Sequence, residues 1–211
     1  MTRAIRISLA MVASVCLLAA CQKDQPSIST SNIPPRQVSL LEGRVVVLAP
    51  KGYCVDQDSM QDHRQSGFVL IAGCDGLMGL PSGTLIEPAV LTVAAYHPDQ
   101  PVSDPLDVAG ALDGAQVLEQ RQTKDLTLLH LQAPDIVPDE SASEHWRGAM
   151  VVNGAVLTLA IYGNGAIAGD AGADLLQVLA RQIRDVSRTE GSGETPNTPK
   201  KPKNLFQRIF N

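Results

Sequence analysis

Short apolar runs bounded by Gly, Pro or Asp recur along the middle of the chain. Runs of this length that are rich in Val, Ile and Leu are typical of β-strands. The pattern predicts strands at Arg44 to Leu48, Gly67 to Ala72, Ala89 to Tyr96, Gln116 to Gln120 and Leu126 to Leu131. A polar turn separates the last two.

The clearest local pattern is a pair of apolar runs, Trp146 to Val152 and Ala155 to Tyr162, on either side of Asn153-Gly154. Asn and Gly both tolerate positive φ, so this dipeptide favours the tight type I′ turn of a β-hairpin. The sequence therefore predicts a hairpin near the end of the folded part.

A helix is predicted from Asp170, which can cap its first turn, to about Val186. Five apolar residues repeat there at helical spacing and form one face: Leu175, Leu176, Leu179, Ile183 and Val186. A weaker helical pattern runs from about Pro105 to Leu112. The fold class predicted is α+β, an antiparallel β-sheet with a closing hairpin and a C-terminal amphipathic helix packed on it.

The first twenty residues carry Arg3 and Arg6, then an apolar run from Ile7 through Ala20, and no acidic residue. This layout is typical of an export signal, and the run is short for a membrane span. The run ends in Leu18-Ala19-Ala20-Cys21, which resembles the lipobox of bacterial lipoproteins. The resemblance implies cleavage before Cys21 and a diacylglycerol on its thiol. The alternative is an ordinary secretory signal with a chance cysteine.

Composition divides the rest of the chain. Residues 21–39 are rich in Ser, Pro and Gln and are predicted to form a lipidated, flexible tether. Residues 40–188 have the size of one globular domain. Residues 189–204 are predicted to be a disordered linker, and residues 205–211 a short amphipathic terminal segment.

Charge excludes one class of partner. Residues 40–188 contain nineteen Asp or Glu against nine Lys or Arg. Nucleic-acid binding depends on basic residues that neutralise phosphates, so no nucleic-acid partner is expected.

Cys54 and Cys74 are the thiols left once Cys21 carries lipid and the signal has been removed. An exported protein meets an oxidising compartment, so a disulfide between them is expected. A bridge over a loop of that length would stabilise the fold by about 3 kcal/mol in the chain-entropy model. A metal site or a redox pair is the alternative, although neither cysteine lies in a Cys-x-x-Cys motif.

The order of elements, a closing hairpin and then an amphipathic helix, resembles the PsbP-like fold of small extrinsic proteins and lipoproteins over residues 40–188. The resemblance implies an accessory or scaffold protein, since that fold mostly hosts such proteins. Fold alone does not fix a function.

Motifs that carry chemistry are scarce. Gly163-x-Gly165-x-x-Ala168 resembles a dinucleotide fingerprint, but the strand before it belongs to a hairpin rather than to a parallel sheet. The sequence contains no phosphate loop, no nucleophile elbow and no H-E-x-x-H motif. We expect no catalytic constellation, no cofactor and no metal site.

The histidines and loop acids leave one alternative open. His63 and His97 are interpreted as surface residues, His130 as a hydrogen-bonded residue of the sheet, and Glu144-His145-Trp146-Arg147 as the start of the closing hairpin with Trp146 in the core. Asp56, Asp58 and Asp62, predicted to lie on a loop, could hold a calcium ion or form a cleft with His63.

The C-terminal segment combines a basic cluster with apolar residues. Lys200, Lys201 and Lys203 precede four apolar residues that would share one helical face: Leu205, Phe206, Ile209 and Phe210. The pattern is typical of a short motif that docks on an envelope protein or on an anionic membrane surface. The alternative is an end without a function.

Together these patterns predict a membrane-anchored envelope lipoprotein of non-enzymatic binding or scaffold type. It is expected on the periplasmic side of a membrane, and Gln22 after the cysteine slightly favours the outer membrane. The alternative is a periplasmic hydrolase or ion-binding protein with an unrecognised site.

Overall fold

The computed structural model describes residues 33–81, 83–102, 115–133, 138 and 141–191, the side chains of 189–191 excepted. Nine strands and two α-helices are formed there. They are β1 (Gln37–Leu40), β2 (Val45–Leu48), β3 (Tyr53–Asp62), β4 (Ser66–Gly73), α1 (Cys74–Met78), β5 (Ala89–Tyr96), β6 (Gln116–Gln122), β7 (Thr127–Gln132), β8 (Glu144–Val152), β9 (Ala155–Gly163) and α2 (Asp170–Gly191).

Seven strands form one sheet in the order β3-β4-β5-β9-β8-β7-β6, and every neighbouring pair is antiparallel. Strands β1 and β2 form a separate hairpin. Helix α2 and this hairpin pack on one face of the large sheet, which we call the inner face; the opposite one is the outer face. The predicted α+β class is confirmed.

The closing hairpin has the predicted turn. Strands β8 and β9 pair from Trp146 opposite Ile161 to Val152 opposite Ala155. Asn153 and Gly154 between them have φ of 49° and 77°. Positive φ at both residues is what a type I′ turn requires, so the dipeptide fixes the register of the hairpin.

Helix α2 lies close against the inner face because its first turns carry small residues. A Cβ at Gly172 would collide with the carbonyl oxygen of Ile167 and lie 3.3 Å from the Trp146 ring. Farther along, the buried apolar residues Leu176, Leu179 and Ile183 enter the core. Each such side chain contributes roughly 1.5–3 kcal/mol through burial.

Two polar side chains fix the other end of α2. The buried Ser187 hydroxyl accepts a hydrogen bond from the Val46 amide at 2.9 Å and donates one to the Val46 carbonyl at 3.3 Å. The Asn153 side-chain amide donates to the carbonyls of Arg44 and Ser187 at 2.9 and 3.0 Å. These bonds join α2 to the β1–β2 hairpin and to the closing turn, and the helix continues beyond the predicted end at Val186.

The prediction that Asp56, Asp58 and Asp62 lie on a loop is wrong. All three acids lie on the edge strand β3, whose pairing with β4 is interrupted by a bulge between Asp56 and Gln61. An edge strand with few buried residues has no regular apolar alternation for sequence reasoning to detect. Helix α1 was also missed, and β1 begins at Gln37, three residues before the domain boundary predicted from composition.

The disulfide between Cys54 and Cys74 is present and connects β3 to the first residue of α1. Among the described residues no helix is both long and apolar enough to cross a membrane. The weak helical pattern from Pro105 to Leu112 lies outside the described residues.

Candidate functional site

Two predicted sites lie outside the described residues. One is the lipidation site Cys21. The other is the docking segment with Leu205, Phe206, Ile209 and Phe210. Both stay predictions from the sequence.

Two of the acids considered for ion binding, Asp56 and Asp62, accept hydrogen bonds from backbone amides. Asp56 Oδ1 accepts a hydrogen bond from the amide of Asp58 at 3.1 Å. Asp62 Oδ1 accepts one at 2.7 Å from the amide of Leu41, in the turn between β1 and β2. His63 is exposed beyond the end of β3. Within the described part of the chain, no three His, Cys, Asp or Glu side chains are placed to hold a metal ion.

The densest group of polar and aromatic side chains lies on the inner face where β8 begins. Trp146 is buried, and its Nε1 donates to the carbonyl of Gly169 at 2.9 Å. The His130 ring on β7 stacks on the indole, with ring centroids 4.5 Å apart and planes within 5°. We call this group the Trp146 cluster. Its members are Glu119, Arg121, His130, Glu144, Trp146 and Asp170.

Arg121 connects this cluster to helix α2. Its Cζ lies 4.5 Å from the centroid of the Trp146 ring, within range of a cation–π interaction. Its guanidinium donates to Glu119 at 2.6 and 3.0 Å and to Asp170, the first residue of α2, at 2.6 Å. The hydrogen bond from Arg121 lowers the pKa of Glu119, and the hydrogen bonds to both carboxylates raise the pKa of Arg121.

These ion pairs have a structural role. The Arg121 side chain is 34% exposed and that of Asp170 is 83% exposed, so solvent screens their attraction. Exposed pairs of this kind contribute little to the stability of a fold. Arg121 bonds both carboxylates, and its bond to Asp170 connects strand β6 to helix α2.

His130 has a carboxylate beside it on the same face. Its Nε2 lies 3.6 Å from Glu144 Oε2, outside ordinary hydrogen-bond distance but within range of an ion pair when the ring is charged. The Glu144 carboxylate is therefore the acidic group beside this ring. His130 lies on β7, as predicted, but the expected hydrogen bond is not formed at its buried Nε2, which has no such partner among the described residues.

His145 occupies the outer face directly behind the Trp146 cluster. It has no exposed surface, and its ring lies 5.0 Å from that of Tyr162 on β9, centroid to centroid. Arg147 Nε donates to His145 Nε2 at 3.3 Å. An accepting Nε2 requires the neutral ring with its proton on Nδ1, and that buried Nδ1 makes no hydrogen bond with a described residue. Burial, and next the charge of Arg147, lowers the pKa of His145 to about 4, and the nearby backbone of Ser143 opposes this shift.

Farther along the outer face, strands β4, β5 and β9 present uncharged side chains. Cross-strand rows run from Leu70 through Thr92 to Ala160 and from Phe68 through Ala94 to Thr158. Most of them are half-buried, Tyr96 and Thr158 are exposed, and Ala160 is buried. We call this set the outer patch; its members are Phe68, Leu70, Thr92, Ala94, Tyr96, Val156, Thr158 and Ala160.

Comparisons of the chain with protein-family models, with curated proteins and with solved structures find no match. The function is therefore argued from the residues themselves.

Sequence reasoning named the tetrapeptide Glu144-His145-Trp146-Arg147 without separating its two faces. The two faces could have been separated from the sequence, since alternate residues of a strand point to opposite sides of the sheet. Sequence reasoning did not single out Arg121, whose bond to Asp170 joins residues 49 positions apart. No local pattern could have revealed that contact.

Proposed function

We propose that the chain is a lipid-anchored lipoprotein of the bacterial cell envelope that acts as a non-enzymatic binding or scaffold protein. The observation that carries the proposal is Leu18-Ala19-Ala20-Cys21 at the end of a basic and then apolar segment. Two or three acyl chains on Cys21 would make the anchor long-lived, because each buried methylene contributes about 0.8 kcal/mol.

Three features of the described domain support this proposal. The disulfide between Cys54 and Cys74 is expected of a protein that folds in an oxidising compartment. The polar and aromatic side chains of the Trp146 cluster are engaged with one another, which favours a structural role for them over a catalytic one. The outer patch offers a surface on which a protein partner could be held.

The anchor is tested by metabolic labelling with a palmitate analogue in a bacterial host. The intact chain incorporates label and partitions into the detergent phase, whereas a Cys21→Ser variant incorporates none and stays in the aqueous phase. Cys16→Ser is the matched control, since Cys16 lies in the same segment but directly follows Val15, whereas Cys21 directly follows an alanine. Equal labelling of the Cys21→Ser variant and the intact chain would contradict the proposal.

The C-terminal segment is proposed as a second contact with an envelope protein or an anionic membrane surface. Leu205, Phe206, Ile209 and Phe210 provide the apolar contacts, and the three lysines before them provide the charge. An isolated helix of that length is unstable, so it would form on binding.

Crosslinking in intact cells, followed by mass spectrometry, tests this contact. The full chain is compared with a version that ends at Gly191, the last residue of α2, so that the bonds of Ser187 are kept. Partners captured by the full chain alone support the docking role. Identical sets of partners from the two versions would assign binding to the folded domain and remove the docking role from the tail.

A further inference from the structure

The two histidines on either side of the sheet at β8 have different charged neighbours. On the inner face, His130 has Glu144 as a counter-ion at 3.6 Å. On the outer face, the charged neighbour of His145 is Arg147, which donates a hydrogen bond to its Nε2. We propose that protonation of His145 drives its side chain out of the outer face and opens the start of β8, so that the protein changes conformation in acidic surroundings.

The first step is the loss of the hydrogen bond that the ring accepts from Arg147. A proton added at Nε2 turns an acceptor into a donor, so Nε2–H would face the N–H of Arg147. Both groups would then carry positive charge. The interaction that holds the neutral ring in place becomes a repulsion between two cations.

The second step is that no charged side chain among the described residues offsets this repulsion; among the described neighbours, only the backbone of Ser143 favours the protonated ring. Three titratable side chains in the described part of the chain act on His145: Arg147 of its own strand, Tyr162 of β9 and His130 of β7. None of them is a carboxylate. Its Cα partner on β7 is Leu131, which is buried and apolar. An imidazolium without a counter-ion in such surroundings is strongly disfavoured, which agrees with a pKa of about 4 for His145.

The third step locates the opening. The residues just before β8 are held by two backbone bonds, from the Ala133 amide to the Ser143 carbonyl at 3.0 Å and from the Ala142 amide to the Gly163 carbonyl at 3.4 Å. Trp146, by contrast, is fixed from the inner face by its bond to Gly169. Release of His145 therefore frees residues 142–145 while α2 stays packed.

Hydrogen–deuterium exchange of the full chain at pH 7.5 and pH 4.5, corrected for intrinsic exchange rates, tests the proposal. The pKa of an exposed histidine is about 6.5, and that of His145 is about 4. The difference predicts that the opening constant of residues 142–145 rises roughly tenfold to a hundredfold at pH 4.5. The exchange of residues 171–184 in α2 stays unchanged.

His145→Phe is the matched variant, because it keeps a ring against Tyr162 and removes the titrating nitrogens; His145→Leu serves if the larger ring disturbs the fold. Either variant loses the acid-dependent rise, while His130→Gln keeps it. The same rise in His145→Phe as in the unmodified chain would overturn the proposal. So would exchange in α2 that rises together with that of β8, because the acid transition would then be global unfolding.

Discussion

The inner and outer faces of the sheet at the start of β8 contain similar side chains in different arrangements. Both have a histidine stacked on an aromatic ring and an arginine near it. On the inner face, the arginine and the histidine each have a carboxylate within 3.6 Å. On the outer face, His145 is buried with Arg147 as its charged neighbour. The two arrangements therefore differ in the position of their carboxylates more than in the identity of their basic groups, and on this position we base the proposal that a charged ring cannot stay in place on the outer face.

The largest effect is expected from Trp146→Ala. The indole is buried, bonds to Gly169 and contacts both His130 and Arg121. Truncation of such a side chain leaves a cavity and typically costs 3–5 kcal/mol, so we expect the free energy of unfolding to fall by about that amount. Chemical denaturation at neutral pH measures it. A loss below about 1 kcal/mol would show that the inner face does not depend on this ring.

The next effect concerns the pH dependence of stability. The folded-state pKa of His145, about 4, lies below the 6.5 of an exposed histidine. The neutral ring therefore contributes stability that is fully present above pH 6.5 and is lost as the pH falls toward 4. The pKa difference corresponds to at most about 3 kcal/mol.

Denaturation curves at several pH values compare the unmodified chain with His145→Phe. The variant is expected to lose less stability than the unmodified chain between pH 7 and pH 4. Parallel loss in the two proteins would assign the acid sensitivity to other groups.

The smallest effect is expected from Arg121→Met. The methionine keeps apolar contact with Trp146 but removes the bonds to Glu119 and Asp170. Because these pairs are exposed, the free energy of unfolding should fall only slightly, less than in either variant above, and the loss should shrink in high salt. The comparison is made by denaturation at low and high ionic strength. A large loss that does not depend on salt would show that packing of the arginine, rather than its charge, matters.

Much of the fold could be predicted from local sequence patterns. Strand β5 was predicted to the residue because its apolar positions are bounded by a proline on one side and a histidine-proline pair on the other. The Asn153-Gly154 hairpin and α2 were identified from turn chemistry and helical spacing. Strand β3 was missed because its polar half, from Asp56 to Asp62, lies on an edge and buries little.

The site was less accessible to sequence reasoning. Alternation along Glu144-His145-Trp146-Arg147 implies two faces, but nothing local says which neighbours each face meets. Glu119 and Arg121 reach the cluster from β6, and Asp170 reaches it from α2. The burial of His145 likewise follows from long-range packing. The resemblance to the PsbP-like fold, which rests on the order of elements, stays a prediction.

Nitrogen NMR of the imidazole of His145, followed from pH 8 to pH 4 in the full chain, tests the central contrast most directly. The structure predicts a neutral ring with its proton on Nδ1 and a hydrogen-bonded acceptor at Nε2, unchanged through pH 6. Half-protonation near pH 6.5, as in an exposed histidine, would contradict the account, because His145 would then tolerate charge where it lies.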